Sequence, residues 1–306
     1  MKQSSPADHS KIAFGTMQFG GTADEPTSRA MFDACRAAGI THFDTATGYT
    51  DGRSETLLGG FVAAERDSCF IATKVGYDAG TGPVLTAQFA DSLRRLRMDR
   101  VDLLYLHRFH PETPLEETLT VFAELQRQGK IRQIGLSNFP AWAVMKAQAV
   151  AATLGTRIDA IQPMYNLVKR QAEVELLPMA MDQGVAVYPY SPLGGGLLSG
   201  KYAAGEVGRL STNPQYAARY APQTMHDTAR ALTALAADLG TQPATLAVAW
   251  VMAHPARPVP LTSARDAAQL APSLAALDFP MTAELYARLS ALSPTPPPAT
   301  DRLEEA

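Results

Sequence analysis

The sequence predicts an α/β protein folded as a single (β/α)8 TIM barrel, with a long connection and an extra helix after the seventh strand. Eight short apolar runs, rich in β-branched and aromatic residues, alternate with amphipathic helical stretches. The runs are continuously apolar, as in VDLLYLH at 101–107, which is typical of strands covered on both faces of a parallel sheet. The units recur about every 30 residues without a break in composition, which favours one barrel over two doubly wound halves.

Strands and helices alternate along the chain. The predicted strands are Ile12–Thr16, His42–Ala46, Phe70–Val75, Val101–His107, Ile131–Ser137, Ala160–Met164, Val185–Tyr190 and Val259–Ser263. The predicted helices are Thr27–Ala38, Glu55–Ala64, Thr86–Arg97, Pro114–Gln128, Ala141–Leu154, Gln171–Gln183, Pro243–Met252 and Asp266–Ala276. Because proline cannot donate a hydrogen bond to a sheet, we expect Pro163, Pro189 and Pro260 to lie near strand ends.

Local signals mark where several helices begin and end. A capping box is predicted before the fourth helix, with Thr113 as N-cap, Pro114 in the first position and Glu116 reaching back. Glycines follow four of the predicted helices and are expected to end them: Gly39, Gly129, Gly155 and Gly184.

Two segments lie outside the alternation. Leu193–Gln223 is a glycine-rich connection, and a further helical stretch follows at His226–Leu239. A connection of this length within a compact domain is usually functional. The barrel is expected to occupy residues 1–293, and residues 294–306 form a proline-rich tail that we expect to be loosely ordered.

Composition and charge exclude several classes of protein. The 306 residues are 46% hydrophobic and 19% charged, which excludes collagen, coiled coil and wholesale disorder. A net charge of −3 gives no electrostatic reason to bind nucleic acid or an anionic membrane. Cys35 and Cys69 cannot form a disulfide framework, lack metal-ligand spacing and are expected to serve in packing. With no secretory apolar region and no run of about 18 apolar residues, the expected location is the cytoplasm.

Four polar side chains are expected to meet at the carboxyl ends of the strands, where the active sites of such barrels lie. Asp44 lies at the end of the second strand, Tyr49 in the loop after it, Lys74 at the end of the third and His107 at the end of the fourth. Alone, each has a structural interpretation, but four on one rim favour a catalytic site. An ammonium held by a carboxylate should lower the pKa of a phenol and make it a usable proton donor to a carbonyl oxygen, which the imidazole would orient.

At these residues the chain resembles the aldo-keto reductases. The matching stretches are Asp44-Thr-Ala-Thr-Gly-Tyr49 through Ser54-Glu55 to Leu58-Gly59, Thr73-Lys74-Val75, Asp102 to His107, Gly129 to Asn138, and Tyr190-Ser-Pro-Leu193. Within that family the chain is most similar to the aflatoxin-aldehyde/succinic semialdehyde reductase branch. The stretches that carry this similarity are Phe14–Met17, Tyr165-Asn166, Arg170-Gln171, Glu175, Leu193–Tyr202 and Arg219-Tyr220.

The resemblance implies a role for each matching residue. Tyr49 would be the general acid, Lys74 and Asp44 its tuning pair, and His107 the group that orients the carbonyl. The residues implied in binding NADPH are Ser137, Asn138 and Gln162 at the nicotinamide carboxamide, Tyr190 against the ring, Ser191, Leu193 and Lys201 at the pyrophosphate, and Ser263, Arg265 and Gln269 at the adenosine 2′-phosphate. Among these residues, Arg265 favours NADPH over NADH. Free N–H groups at the start of the last helix would also help to bind the 2′-phosphate.

The chain departs from the family pattern in a few places. Thr50 and Ser263 stand where many members carry glycine, so the loop after Tyr49 is expected to be stiffer and the approach of backbone to phosphate less open. Arg108 and Phe109 are expected to line the substrate pocket. The run Gly194–Gly200 lacks the GxGxxG spacing of a Rossmann fold and is expected to fold over the cofactor.

Three hypotheses about function remain at this point. The first is an NADPH-dependent reductase of an aldehyde or ketone, with Tyr49 as general acid. The second is an NADPH-binding regulatory or sensor barrel with little turnover, and the third, a metal-dependent hydrolase, lacks a ligand cluster at the strand ends. Arg209 and Arg219 would contact a cofactor phosphate or a substrate carboxylate, or lie in solvent. The resemblance also implies a possible homodimer.

Overall fold

The computed structural model confirms the predicted barrel, and it describes residues 10–202 and 207–300. Its strands are β1 (Ala13–Gly15), β2 (His42–Asp44), β3 (Phe70–Val75), β4 (Val101–Leu106), β5 (Ile131–Ser137), β6 (Ala160–Gln162), β7 (Ala186–Val187) and β8 (Leu261–Thr262). All pairs of neighbouring strands are parallel, in the order β7-β6-β5-β4-β3-β2-β1-β8. Each strand lies within the run predicted for it.

Backbone hydrogen bonds join the two ends of this sheet. The N–H of Val259 donates to the carbonyl of Val187 over 2.9 Å, and that of Leu261 donates to the carbonyl of Pro189 over 2.8 Å. These bonds bring β8 against the β7 segment. The sheet therefore curls round on itself, and the carboxyl ends of its strands form one rim.

Helices cover the outside of the sheet. In the part of the chain that the structure describes they are α1 (Glu25–Ala37), α2 (Arg53–Val62), α3 (Gly82–Leu96), α4 (Leu115–Arg127), α5 (Ala141–Thr153), α6 (Leu176–Gln183), α7 (Arg209–Thr212), α8 (Pro214–Arg219), α9 (Gln223–Asp238), α10 (Pro243–Met252), α11 (Ala267–Leu274) and α12 (Ala283–Ser290). The glycines at 39, 129, 155 and 184 follow helices and have positive φ angles, as predicted.

Prolines limit three of the short strands, β6, β7 and β8. β6 ends directly before Pro163, β7 ends two residues before Pro189, and β8 begins directly after Pro260. Each strand is shorter than its predicted run because a proline nitrogen carries no hydrogen for the ladder.

The structure corrects four predictions about the helices. The capping box does not form: Pro114 itself is the N-cap of α4, and no side chain caps that end. The predicted helix 171–183 is divided into a 3₁₀ turn at Gln171–Glu173 and α6. The connection after β7 contains α7 and α8, and α12 was not predicted. Of the predicted tail, residues 294–300 form no helix or strand, and residues 301–306 lie outside the described part.

The apolar core has two layers. One lies between the sheet and the helices and includes both buried cysteines. The other lies inside the barrel and consists of Ala13, Phe70, Ala72, Leu103, Tyr105, Ala160, Tyr188 and Leu261. A barrel of this size has room only for side chains inside, so it is a packed core rather than a channel.

Two carboxylates bond the strands at the rim opposite the carboxyl ends. Asp102, 3% exposed in its side chain, accepts a hydrogen bond from the N–H of Ile71 over 2.9 Å and pairs with Arg66 over 2.8 Å. Asp159, just before β6, accepts the N–H of Ile134 over 2.9 Å. Both carboxylates therefore satisfy a backbone donor of the neighbouring strand, Ile71 in β3 and Ile134 in β5.

Adjacent glycines in α2 provide a matched test of packing. A Cβ at Gly59 would lie 2.6 Å from the carbonyl carbon of Leu96 at the end of α3, whereas a Cβ at Gly60 would meet nothing within 4 Å. We expect Gly59→Ala to lower the free energy of unfolding by about 1–3 kcal/mol, because α2 must move away from α3. Gly60→Ala should raise it by up to about 1 kcal/mol through helix propensity. Urea denaturation measures both, and equal changes would contradict the close approach.

Candidate active site

Three neighbouring strands and one loop bring the predicted tetrad together. Asp44 is the last residue of β2, Lys74 is the fifth of six in β3, and His107 directly follows β4. Tyr49 begins a short 3₁₀ turn between β2 and α2. Its ring centroid lies 6.0 Å from that of His107, with the two planes at 81°.

A completely buried ammonium is the centre of this arrangement. Lys74 Nζ donates to a carboxylate oxygen of Asp44, to the carbonyl oxygen of Thr45 over 2.8 Å, and to Tyr49 Oη over 3.4 Å. The side chain of Lys74 is 0% exposed and that of Asp44 is 2% exposed. The second Asp44 oxygen accepts a bond from Gln162 Nε2 over 2.9 Å. Lys74 therefore has a fixed position and a direct contact with the phenol.

The pKa of Tyr49 moves in the direction opposite to the prediction. Burial raises it above its ordinary value, and the Lys74 ammonium opposes only part of that rise. Burial disfavours the charged form of Lys74, but Asp44 and Tyr49 outweigh it and hold the pKa of the amine above its usual value. At neutral pH the phenol is thus protonated and the amine is charged.

His107 is neutral at neutral pH. Burial, with smaller contributions from the charges of Lys74 and Arg108, lowers its pKa to about 3. Its Nδ1 is buried and has no hydrogen-bond partner in the described part of the chain. Tyr77 packs edge-on against the imidazole with ring centroids 5.0 Å apart, and Arg108 stacks on Tyr77 with its guanidinium 4.2 Å from the ring centroid.

The backbone after Tyr49 adopts an unusual conformation, which we call the Tyr49 turn (residues 49–52). Thr50 has φ 49° and ψ 42°, Asp51 has φ 56°, and Gly52 has φ 83°. A β-branched residue in the left-handed region is a genuine outlier, and such residues cost about 1–3 kcal/mol each. The turn is therefore strained beside the phenol.

The ion pair between Glu55 and Arg95 stabilises the loop between β2 and α2. Glu55 is completely buried, accepts a bond from Thr73 Oγ1 over 2.6 Å, and pairs with Arg95 Nε over 2.7 Å. The same guanidinium also donates to the side chain of Thr47. Glu55 thus links the residue before Lys74 to the loop that carries Tyr49.

Polar groups from β5, the loop after it, the end of β6 and the segment after β7 adjoin the tetrad. Asn138 has φ 61°, and its Nδ2 donates to the carbonyl of His107 and to Ser137 Oγ, each over 3.0 Å. Tyr190 Oη donates to Asn138 Oδ1 over 2.7 Å, and Ser137 Oγ donates to the carbonyl of Gln162 over 3.1 Å. The structure therefore brings together the four residues that the resemblance implies at a nicotinamide.

The turn after β7 has left-handed backbone at several positions. Ser191 has φ 58°, and its carbonyl accepts a bond from the buried Asn166 over 2.9 Å. Leu193 is the N-cap of the 3₁₀ stretch 194–199, in which Gly196 has φ 96°. A Cβ at Gly196 would lie 2.9 Å from Lys201 Nζ, so the missing side chain lets the ammonium approach the backbone.

The α7–α8 segment packs against this glycine turn. Two guanidinium groups lie against the ring of Tyr216, that of Arg209 at 4.9 Å and that of Arg219 at 5.0 Å from the ring centroid. A Cβ at Gly195 would lie 2.8 Å from Tyr216 Cδ1. Arg209 and Arg219 are both partly buried and not fully in solvent.

The start of α11 differs from the expected anion site. Ser263 and Arg265 are exposed after β8. The N-cap of the helix is Asp266, whose carboxylate accepts the N–H of Gln269 over 2.7 Å, while Gln269 Oε1 accepts the N–H of Arg265 over 2.9 Å. Side chains therefore already bind these backbone donors. A phosphate here would depend on the guanidinium of Arg265 more than on free N–H groups.

The substrate residues predicted from the sequence are placed on two sides of the site. Arg108 contacts Tyr77 beside His107, whereas Phe109 packs against Phe139 and Trp142 with ring centroids 5.1 and 5.5 Å away. Sequence reasoning gave no role to Tyr77, although it lies two residues after β3, where rim residues are expected. It also gave none to Tyr216 or Asn166, whose contacts depend on tertiary packing.

These residues fit a nicotinamide dinucleotide. The donor set combines amide and hydroxyl groups beside the tetrad, an aromatic side chain after β7, an ammonium at a glycine turn and a guanidinium after β8. The buried, unpartnered Nδ1 of His107 adds a polar atom for which the protein supplies no bond. In residues 10–202 and 207–300 no cluster of His, Cys, Asp or Glu could hold a metal ion, and no helix is long and apolar enough to cross a membrane.

The chain is a (β/α)8 barrel whose candidate site lies at the carboxyl ends of the strands, where enzymes of this fold carry their active sites. The profile of the Aldo/keto reductase family matches residues 11–294, and the chain belongs to this family. It is 32% identical to the uncharacterized oxidoreductase YrpG of Bacillus subtilis over 94% of this chain and 93% of that protein. It is 40% identical to the human aflatoxin B1 aldehyde reductase member 4 over 61% of this chain and 59% of the relative. A probable voltage-gated potassium channel subunit beta of rice (Oryza sativa subsp. japonica) is 31% identical over 95% of each chain.

Proposed function

We propose that this protein reduces an aldehyde or ketone to an alcohol with NADPH, and that Tyr49 is the general acid. The observation that carries the proposal is the buried Lys74 ammonium between Asp44 and Tyr49, with the neutral His107 beside the phenol. The similarity to an aldehyde reductase supports the same class of substrate. When bound, the reduced nicotinamide would supply a hydride to the carbonyl carbon.

The four tetrad residues account for the transfer of a proton to the carbonyl oxygen of the substrate. Tyr49 Oη donates its proton to the carbonyl oxygen as negative charge develops there, and the phenolate left behind lies 3.4 Å from the Lys74 ammonium. Asp44 keeps that ammonium charged and in place. The neutral imidazole of His107 can donate a hydrogen bond to the same oxygen and so orient the carbonyl. Solvent then returns a proton to Tyr49.

The remaining residues would bind the cofactor. Ser137, Asn138 and Gln162 would contact the carboxamide, and Tyr190 would contact the ring. Ser191, Leu193 and Lys201 would hold the pyrophosphate, and Ser263, Arg265 and Gln269 the 2′-phosphate. Arg265 supports NADPH over NADH because a planar guanidinium pairs well with phosphate and has no comparable partner in NADH.

Arg265→Ala tests the cofactor. We expect it to weaken NADPH binding by about tenfold to a hundredfold, the loss typical of a charged hydrogen bond, and to leave NADH binding nearly unchanged. Fluorescence titration with each cofactor measures the two affinities. Arg288→Ala, an exposed arginine on α12, is the matched control. Equal losses for both cofactors would contradict the 2′-phosphate role.

A regulatory barrel is the second candidate, and the similarity to the rice channel subunit favours it. Consumption of NADPH with a panel of aldehydes, ketones and keto-acids separates the two. A reductase turns over at least one class of carbonyl. Tight NADPH binding without turnover of any of them would support the regulatory role instead.

A further inference from the structure

The Tyr49 turn is strained, yet one hydroxyl ties it to two other parts of the fold. We propose that Thr50 is a positioning residue for Tyr49. The Thr50 hydroxyl fixes the Tyr49 turn against the β1 loop (residues 16–24) and the start of α2. The inference rests on the proposed function, since it assumes that Tyr49 is the acid.

The backbone conformation of the Tyr49 turn is energetically unfavourable. Thr50 and Asp51 are both in the left-handed region, which residues other than glycine seldom occupy, and Thr50 is also β-branched. A turn of this kind persists only where the surroundings hold it. Without such contacts we expect it to relax, and the backbone of Tyr49 to move with it.

The contacts of the Thr50 hydroxyl provide that hold. Thr50 Oγ1 lies 2.8 Å from the carbonyl oxygens of both Phe19 and Tyr49, which share its one proton, and it accepts the N–H of Ser54 over 3.0 Å. Ser54 lies in the first turn of α2, where N–H groups have no partner within the helix. The N-cap of α2 is Gly52, which has no side chain, so Thr50 supplies the cap from two residues earlier.

The β1 loop fits closely around Thr50. A Cβ at Gly21 would lie 2.6 Å from Thr50 Cγ2, so glycine there lets the loop reach the threonine methyl. Arg53 Nε donates to the Thr50 carbonyl over 2.9 Å and adds a bond on the other side. Both the hydroxyl and the methyl of Thr50 are therefore in use.

The position of Tyr49 depends on its backbone. In the described part of the chain, the hydrogen bond recorded for Tyr49 Oη is the one from Lys74, which is long at 3.4 Å. Such a contact orients a phenol weakly, so the turn that carries it determines where the acid lies. A displacement of about 1 Å at a reacting group can lower a rate about a hundredfold.

The test compares Thr50→Val, which keeps the shape but loses the hydroxyl, with Thr50→Ser, which keeps the hydroxyl. We expect Thr50→Val to lower kcat by about tenfold to a hundredfold while NADPH affinity stays nearly unchanged, and Thr50→Ser to retain most of kcat. Thr86→Val is the control, because its hydroxyl bonds only to Gly82 within α3 among the recorded contacts.

A pH profile separates positioning from general destabilisation. If Tyr49 moves away from Lys74, the ammonium lowers the pKa of the phenol less, so that pKa rises further. The alkaline limb of kcat should then move to higher pH in Thr50→Val but not in Thr50→Ser. Loss of stability alone would not shift this limb.

The outcomes are distinguishable. Should Thr50→Val fail to fold, Thr50→Gly replaces it, because glycine adopts the positive φ without cost and still lacks the hydroxyl. Equal kcat in wild type and the hydroxyl-free variants, or equal losses in the valine and serine variants, would overturn the inference. Wild-type activity in Tyr49→Phe would overturn the proposed function itself.

Discussion

Replacing Tyr49 by phenylalanine should lower kcat for an aldehyde by a factor of about 10²–10⁴, the usual contribution of general acid catalysis. The variant loses the phenol oxygen and its proton but keeps the ring that packs against His107. NADPH affinity should be nearly unchanged, because the residues proposed to bind it are on other elements. Steady-state kinetics and fluorescence titration measure the two quantities.

The pH dependence of kcat in the wild-type protein follows from the pKa values of Tyr49 and His107. Reduction needs Tyr49 protonated and, in our mechanism, His107 neutral. The pKa of His107 is lowered to about 3 and that of Tyr49 is raised, so kcat should be level through neutral pH and fall only on the alkaline side. For the Tyr49→Phe measurement, Tyr286→Phe on α12 is the matched control, because it removes a phenol oxygen away from the candidate site. Full activity in Tyr49→Phe would require another acid.

Lys74→Met should lower the free energy of unfolding by about 3–5 kcal/mol at neutral pH, because it leaves the buried Asp44 carboxylate without its cation. Gln162 would be its remaining side-chain partner among the recorded bonds. Burial already raises the pKa of Asp44, and loss of Lys74 raises it further. The destabilisation is therefore full above that pKa and lessens as the pH falls through it, when the acid protonates. Denaturation at several pH values measures this.

A double substitution separates stability from chemistry. Lys74→Met with Asp44→Asn removes both charges and should recover most of the lost stability, since no buried charge is left unpaired. Its kcat should stay low, because no ammonium stabilises the Tyr49 phenolate. If the double variant were as unstable as Lys74→Met, the ion pair would not explain the loss.

Strand positions were predictable because most strand residues are buried on both faces of the sheet. β3 and β5 match their predicted bounds, and every residue of β3 is buried although its run FIATKV includes Thr73 and Lys74. The same regularity placed Asp44, Lys74 and His107 at one rim before any contact was known. Periodicity alone therefore brought three elements of the candidate site together.

The sequence pattern could not predict which polar groups are buried or which tertiary contacts they make. The expected fall in the pKa of Tyr49 was wrong because the sequence shows the nearby amine but not the loss of solvent around the phenol. The free N–H groups expected at α11 are bound by Asp266 and Gln269, which are local polar residues whose orientation the pattern does not define. The sequence suggested stiffness at Thr50, but not its left-handed backbone.

The two rims of the barrel have different tasks: contacts at one rim align the strands, and the candidate site lies at the other. Asp102 and Asp159, at the starts of β4 and β6, bond the backbone of neighbouring strands, while Asp44, Lys74 and Tyr49 lie at the other end. Loops on the chemical rim can therefore diverge, lengthen or exchange residues during evolution while the bonds that align the strands stay intact. Such a molecule can acquire a new substrate without having to evolve a new scaffold.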